Sequence, residues 1–220
     1  MMEFLNPTYI ISVLIAISIH EWAHAVTAHY FGDPTAEREG RLTINPLSHL
    51  DLIGSLMFLI VGFGWAKPVP VNPSYFRHPK REMALVALAG PFSNLVLAFI
   101  AFVSLSFLMN MQGMQMDELL SPTTSSPALT VAAQILGSSL FVNLSLMAFN
   151  LLPVPPLDGS NILRMLIPYH LEHQYDQLLR YGPIILLVLI ILPNGLLSGW
   201  VFGISGAVLS VFEMVMGLVL

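Results

Sequence analysis

Two histidines four residues apart, His20 and His24, stand on either side of Glu21 at the end of an almost wholly apolar run, residues 10–19. In an α-helix a four-residue spacing leaves two side chains about 40° apart around the axis, so both imidazoles can reach one cation. In His-Glu-x-x-His zinc sites the glutamate is not a ligand; it is the general base that takes a proton from the water the metal activates. Catalytic zinc also needs a third protein ligand and an open position, and nothing else in the first helix supplies that ligand. The plainer reading, a capped and solvated helix face, fits poorly with the apolar surroundings. Ionisable groups inside such a segment are costly and are usually functional.

A carboxylate for the third position occurs far along the chain. Residues 152–159, Leu-Pro-Val-Pro-Pro-Leu-Asp-Gly, break an apolar segment and leave backbone carbonyls and Asp158 at membrane depth. Such breaks are tolerated where they line a site. Taken alone, Asp158 reads as a turn residue. Taken with His20 and His24, it completes a two-histidine, one-carboxylate set with a fourth tetrahedral position left for water, the catalytic arrangement.

The elements that must position these residues are membrane helices. With 55% hydrophobic and 10% charged residues and a mean hydropathy of +0.76, the class is an all-α polytopic membrane protein. The 220 residues leave room for one integral domain, 1–220, with C-terminal helices at about 177–220. A net charge of −5 argues against nucleic acid, and the absence of Cys excludes disulfides and thiolate zinc sites. No positive charge precedes the first apolar run, so it reads as mature sequence and not as a cleaved signal.

Between five and six transmembrane helices are expected. The first covers residues 8–31 and places the metal about 10 to 16 Å below the surface at its Phe31 end. A charged stretch, 35–50, reads as an extended or hairpin segment. Residues 51–64 form an apolar run too short to span comfortably, read as re-entrant or interfacial. The prolines at 68, 70 and 73 then favour an extended strand or loop. Spans follow at 83–109, 129–152, 177–192 with a polar foot, and 196–220, with a short interfacial helix at 160–175. Gly199 and Gly203 form a G-x-x-x-G face that could serve a homodimer, with packing inside the chain the commoner use.

If residues 51–64 do not cross, all eight Lys and Arg residues fall on one side; if they cross, Arg38 and Arg41 separate from the other six. The positive-inside rule favours the first arrangement, with five spans, the N-terminus outside and the C-terminus in the cytoplasm. The two motifs then meet at one depth toward the cytoplasmic side.

His20-Glu21-Trp22-Ala23-His24 together with residues 150–159 resembles the site-2 protease family of intramembrane zinc metalloproteases. The resemblance runs from about residue 8 to 182. It includes Ala89-Gly90-Pro91-Phe92-Ser93-Asn94 and the loop at 65–72, typical of compact prokaryotic members without PDZ or CBS domains. By that resemblance one zinc would be bound by His20, His24 and Asp158, with Glu21 as base and Asn150 steadying the substrate carbonyl or oxyanion. Substrate contacts are expected from Asn94 and from Lys67, Pro68, Val69, Pro70, Val71 and Asn72. A helix must be unwound before it is cut, and those six residues could pair with its exposed backbone by β-addition. Asn94 is almost equally well read as a helix-packing hydrogen bond.

The resemblance implies an integral protein of a prokaryotic cytoplasmic membrane, acting within the lipid bilayer on a transmembrane protein substrate by attack of zinc-activated water. The competing reading is a non-enzymatic membrane protein, either a metal transporter or an inactive scaffold of the same fold. Glu21 beside the ligand pair has no role there. His29 points away from the metal face and reads as interfacial, and His49, His78, His170 and His173 read as solvated loop residues.

Overall fold

Asn6 and Pro7 start the first helix. The Asn6 side chain accepts the Thr8 N–H at 3.1 Å, and Pro7 occupies a position where no backbone hydrogen is needed, giving α1, Pro7–Tyr30. The structure is a computed structural model that describes residues 5–62, 64–113, 118, 120, 126–192 and 195–217. Most of the polar loop expected at 110–128, and the last three residues of the final expected span, lie outside the described residues.

After α1 the chain turns at Gly32 (φ 96°) through a helical turn, Thr35–Arg38. It then enters α2, Leu52–Val61, whose N-terminus is capped by Asp51 accepting from the Gly54 N–H at 2.8 Å. Ten residues make about 15 Å of helix, half a bilayer core, so α2 does not span. The hairpin considered for this region reduces to one antiparallel bridge, Leu50 with Ala66, and there is no strand among the described residues. Gly54 is the close approach here: a Cβ on it would meet the Trp65 carbonyl oxygen at 2.1 Å.

Three long helices carry the bundle: α1, α3 (Pro79–Gln112) and α4 (Pro127–Asn150). They pack through small residues, among them Ala16, Ala25, Ala87, Ala98 and Ala148, all buried. Lipid offers helices no hydrophobic drive to associate, and small side chains allow the close backbone approach that van der Waals contact requires. After the break at 151–157, which contains a cis Pro155-Pro156 bond, come α5 (Asp158–Leu166), α6 (Glu172–Leu179), α7 (Gly182–Ile191) and α8 (Leu196–Gly217).

Four helices, α1, α3, α4 and α8, are long and apolar enough to cross a membrane. The polar foot with α7 makes a fifth if that pair, bent by 54°, is one span. The bend lies at Arg180-Tyr181, just before Gly182-Pro183 start α7, and Gly182 sits so close to Pro155 that a Cβ would lie 2.5 Å from the proline Cβ. The helix α8 packs on α4, where Trp200 donates its indole N–H to the Ala148 carbonyl at 2.8 Å. Its Gly199 and Gly203 are exposed, and a Cβ on either would meet open space. Packing within the chain, the commoner use of such a face, is not seen there among the described residues.

Candidate metal centre

One turn of α1 presents His20 and His24 toward α3 and α5, and both are buried. Their Nε2 atoms are 3.0 Å apart, and Asp158 Oδ2 lies 3.3 Å from each. Asp158 reaches this point because the tight turn after α4 reverses the chain. Gly159 permits the reversal, since a Cβ there would lie 2.4 Å from the Leu151 carbonyl oxygen.

Hydrogen bonds decide the protonation of the two rings. His20 Nδ1 is 2.6 Å from Asn94 Oδ1, while the Asn94 amide nitrogen donates to the Ala16 carbonyl (3.3 Å) and to Asn143 Oδ1 (2.8 Å). His24 Nδ1 is 2.7 Å from the Val86 carbonyl, which can only accept. Both Nδ1 atoms therefore donate, and in the neutral rings both Nε2 atoms present lone pairs to each other and to the carboxylate. Asp158 Oδ2 is buried and has no hydrogen-bond donor among the described residues. Three converging lone pairs repel unless a cation lies among them. Their separations match the edge of a tetrahedron, about 3.3 Å, set by zinc–nitrogen and zinc–oxygen bonds of about 2.0 to 2.2 Å. The residues present fit a zinc ion.

Gly90 on α3 faces this centre. A Cβ there would lie 2.4 Å from His24 Nε2 and 2.6 Å from His20 Cε1, so the missing side chain is what lets α3 pass behind the rings. Asn143 on α4 is fully buried and donates to the Ser139 carbonyl at 2.8 Å, completing a relay from α4 through Asn94 to His20. Sequence reading singled out neither role. Gly90 stands in the sequence only as part of the 89–94 stretch that carries the resemblance, and nothing local distinguishes Asn143.

Asn94 is not exposed to a substrate: it has no accessible surface and its polar atoms bond His20, Ala16 and Asn143, so of its two readings the helix-packing hydrogen bond holds and the substrate contact does not. His49 is another, being fully enclosed with Nε2 2.7 Å from the Thr43 carbonyl; the 43–50 loop folds over it instead of leaving it in water. Asn150 ends α4 with its amide donating to the Leu146 carbonyl at 3.0 Å, directed back along its own helix.

The extended residues 67–72 lie across Glu21. The Val69 N–H donates to Glu21 Oε2 at 2.9 Å, and the Asn72 N–H to Asp33 Oδ2 at 2.7 Å. Buried Arg41 holds the other end, donating to the carbonyls of Ser48, Lys67 and Pro68. Pro68 and Pro70 have no N–H, so this segment is rich in acceptors: the carbonyls of Val69, Pro70 and Val71 have no donor among the described residues.

Comparison with known proteins agrees with this geometry. The family model described as Peptidase family M50 matches residues 8–190. A Bacillus subtilis protein provisionally named zinc metalloprotease YwhC is 43% identical over 89% of this chain and 85% of its own length. A Mycolicibacterium smegmatis protein provisionally named zinc metalloprotease Rip2 is 31% identical over 86% of this chain and 68% of its own. One from Methanocaldococcus jannaschii, MJ0611, named in the same way, is 29% identical over 71% of this chain and 70% of its own. No solved structure matches.

Proposed function

The chain belongs to peptidase family M50, and from that membership we propose that it is an intramembrane zinc endopeptidase that cuts transmembrane helices of other membrane proteins. It is an integral membrane protein and a metalloprotease of the site-2 type. The observation that carries the reading is the convergence of His20 Nε2, His24 Nε2 and Asp158 Oδ2 on one point inside the helical bundle, with Glu21 on the next residue of the same turn.

In this reading His20, His24 and Asp158 hold one zinc ion, which when bound supplies Lewis-acid activation of water and of the scissile carbonyl. Asn94 and Val86 keep both histidines in the ligating tautomer. Glu21 takes the proton from the attacking water and passes it to the leaving amine. The Val69 N–H holds the Glu21 carboxylate while leaving its second oxygen for that exchange. The substrate, unwound near the cut, donates its N–H groups to the open carbonyls of Val69, Pro70 and Val71, and Lys67, Pro68 and Asn72 flank it. The Asn150 amide turns from Leu146 to the developing oxyanion.

An apolar cleft of about 540 Å³ between α1, α2 and α4, bordered also by Ile190 of α7 and by Leu197 and Val201 of α8, supports lateral entry of a helix: Ile17 and Phe149, which line it, are close in sequence to His20 and Asn150. The charge distribution supports a cytoplasmic membrane with the site toward the cytoplasm, the N-terminus outside and the C-terminus inside. The open Gly199 and Gly203 face supports a second copy as neighbour. The test is Glu21→Gln in purified full-length protein assayed on a membrane-spanning substrate. It should keep one zinc per chain and lose cleavage; cleavage at the unmodified rate would overturn the reading.

A further inference from the structure

Half of the chain's cationic side chains line one cavity. Of eight Lys and Arg residues in a protein of net charge −5, four (Arg77, Lys80, Arg81 and Arg164) border a cavity of about 860 Å³ between the start of α3 and the segment that includes α5 and Tyr169. Among the described residues the one carboxylate in its lining, Glu172, pairs with Lys80 at 2.8 Å, and Arg164 pairs with Asp176 at 2.9 Å. Glu82, in the first turn of α3, is buried and outside the lining. Arg77 and Arg81 make no ion pair among the described residues and are exposed. The α3 N-terminus opens here as well: His78 makes no capping bond, so the first N–H groups of a 34-residue helix add positive potential.

We propose that this cavity is a binding site for the phosphate headgroup of an anionic phospholipid. Depth favours a lipid. Lys80 lies six residues before Val86, whose carbonyl holds His24, which puts the cavity about 9 Å along α3 from the metal level toward the bundle's end, at the headgroup zone. The surroundings favour it too. Met165, Leu166 and Tyr169 are exposed at 45%, 72% and 81% beside the cavity. Apolar surface adjoining a cationic recess suits acyl chains attached to an anionic head, whereas a free phosphate would have no use for it. The Tyr169 ring lies 4.5 Å from Lys80 Nζ, placing an amphipathic aromatic at the rim, as membrane interfaces favour.

The experiment is native mass spectrometry of the purified full chain in non-ionic detergent. It is titrated with phosphatidylglycerol or with phosphatidylcholine of the same acyl chains, with and without millimolar inorganic phosphate. One phosphatidylglycerol per chain should be retained, well above phosphatidylcholine. Arg77→Gln/Arg81→Gln should weaken retention by about tenfold or more, the scale for removing two interfacial cations, and Arg180→Gln, outside the cavity, should not. A thermal melt checks that the double variant is folded; if it is not, exposed Arg81→Gln alone must still weaken retention. Equal retention of the two lipids overturns the proposal, as does retention unchanged by the Arg substitutions. So does binding of inorganic phosphate, or of a soluble acidic peptide, with no retained phosphatidylglycerol.

Discussion

Asn94 Oδ1 sits 2.6 Å from His20 Nδ1, and the two residues are 74 positions apart in the chain. That contact makes α3 responsible for the tautomer of a histidine carried by α1. Asn94→Ala should therefore weaken zinc binding by about 10- to 100-fold, the usual effect of removing a partner behind a ligating histidine, with the fold kept. Competition with a chromophoric zinc chelator measures it. Asn94→Asp, which retains the acceptor, should lose much less; wild-type affinity in Asn94→Ala would remove the asparagine from this role.

Gly90 should tolerate no side chain. Gly90→Ala places a methyl 2.4 Å from His24 Nε2 and should abolish stoichiometric zinc. Gly199→Ala, which meets open space, should bind zinc normally and gain up to about 1 kcal/mol from helix propensity. Zinc content by atomic emission and melting temperature separate the two outcomes.

Asp158→Ala should lose both zinc and cleavage, since two histidines alone leave the site short of a ligand. Full metal content with full activity in that variant would show the third ligand to be another group.

Arg41 ties the Ser48 carbonyl to those of Lys67 and Pro68 in the segment that covers Glu21. Arg41→Ala leaves those acceptors without their donor, at about 1 to 3 kcal/mol for each that stays buried. The variant should melt lower and cut more slowly while keeping its zinc. Asn150→Ala should also keep zinc and lose about 100-fold in turnover, the scale for one oxyanion donor. Activity equal to wild type would leave Asn150 in its observed bond to Leu146.

Because the chain has no Cys, single substitutions report topology directly. Arg77→Cys should react with a membrane-impermeant thiol reagent only from the cytoplasmic face, and Glu118→Cys only from outside. The opposite pattern would invert the charge-based orientation.

What the sequence determined by itself was whatever local periodicity controls. The spacing of His20 and His24 places both rings on one helical face wherever that helix goes, Glu21 accompanies them, and apolar runs of spanning length become spanning helices. The proline-rich break before Asp158 also declares itself, because no helix can run through it. Its pairing with the histidines follows from chemistry, since two histidines that could bind a metal lack a third donor, and the structure brings Asp158 to 3.3 Å from both. Tertiary structure alone decided what lies behind and above the centre. Between the two readings of Asn94, tertiary structure chose the helix-packing hydrogen bond, because α3 meets α1 in a register that encloses it completely. His49 is enclosed, and Arg41 buried beside it, because residues 43–50 and 67–72 close over each other. The cationic cavity exists only because the start of α3 comes to rest against α5 and the segment beyond it. Such contacts join residues many tens of positions apart, and they depend on how helices slide and rotate on packing, which no local pattern of side chains encodes.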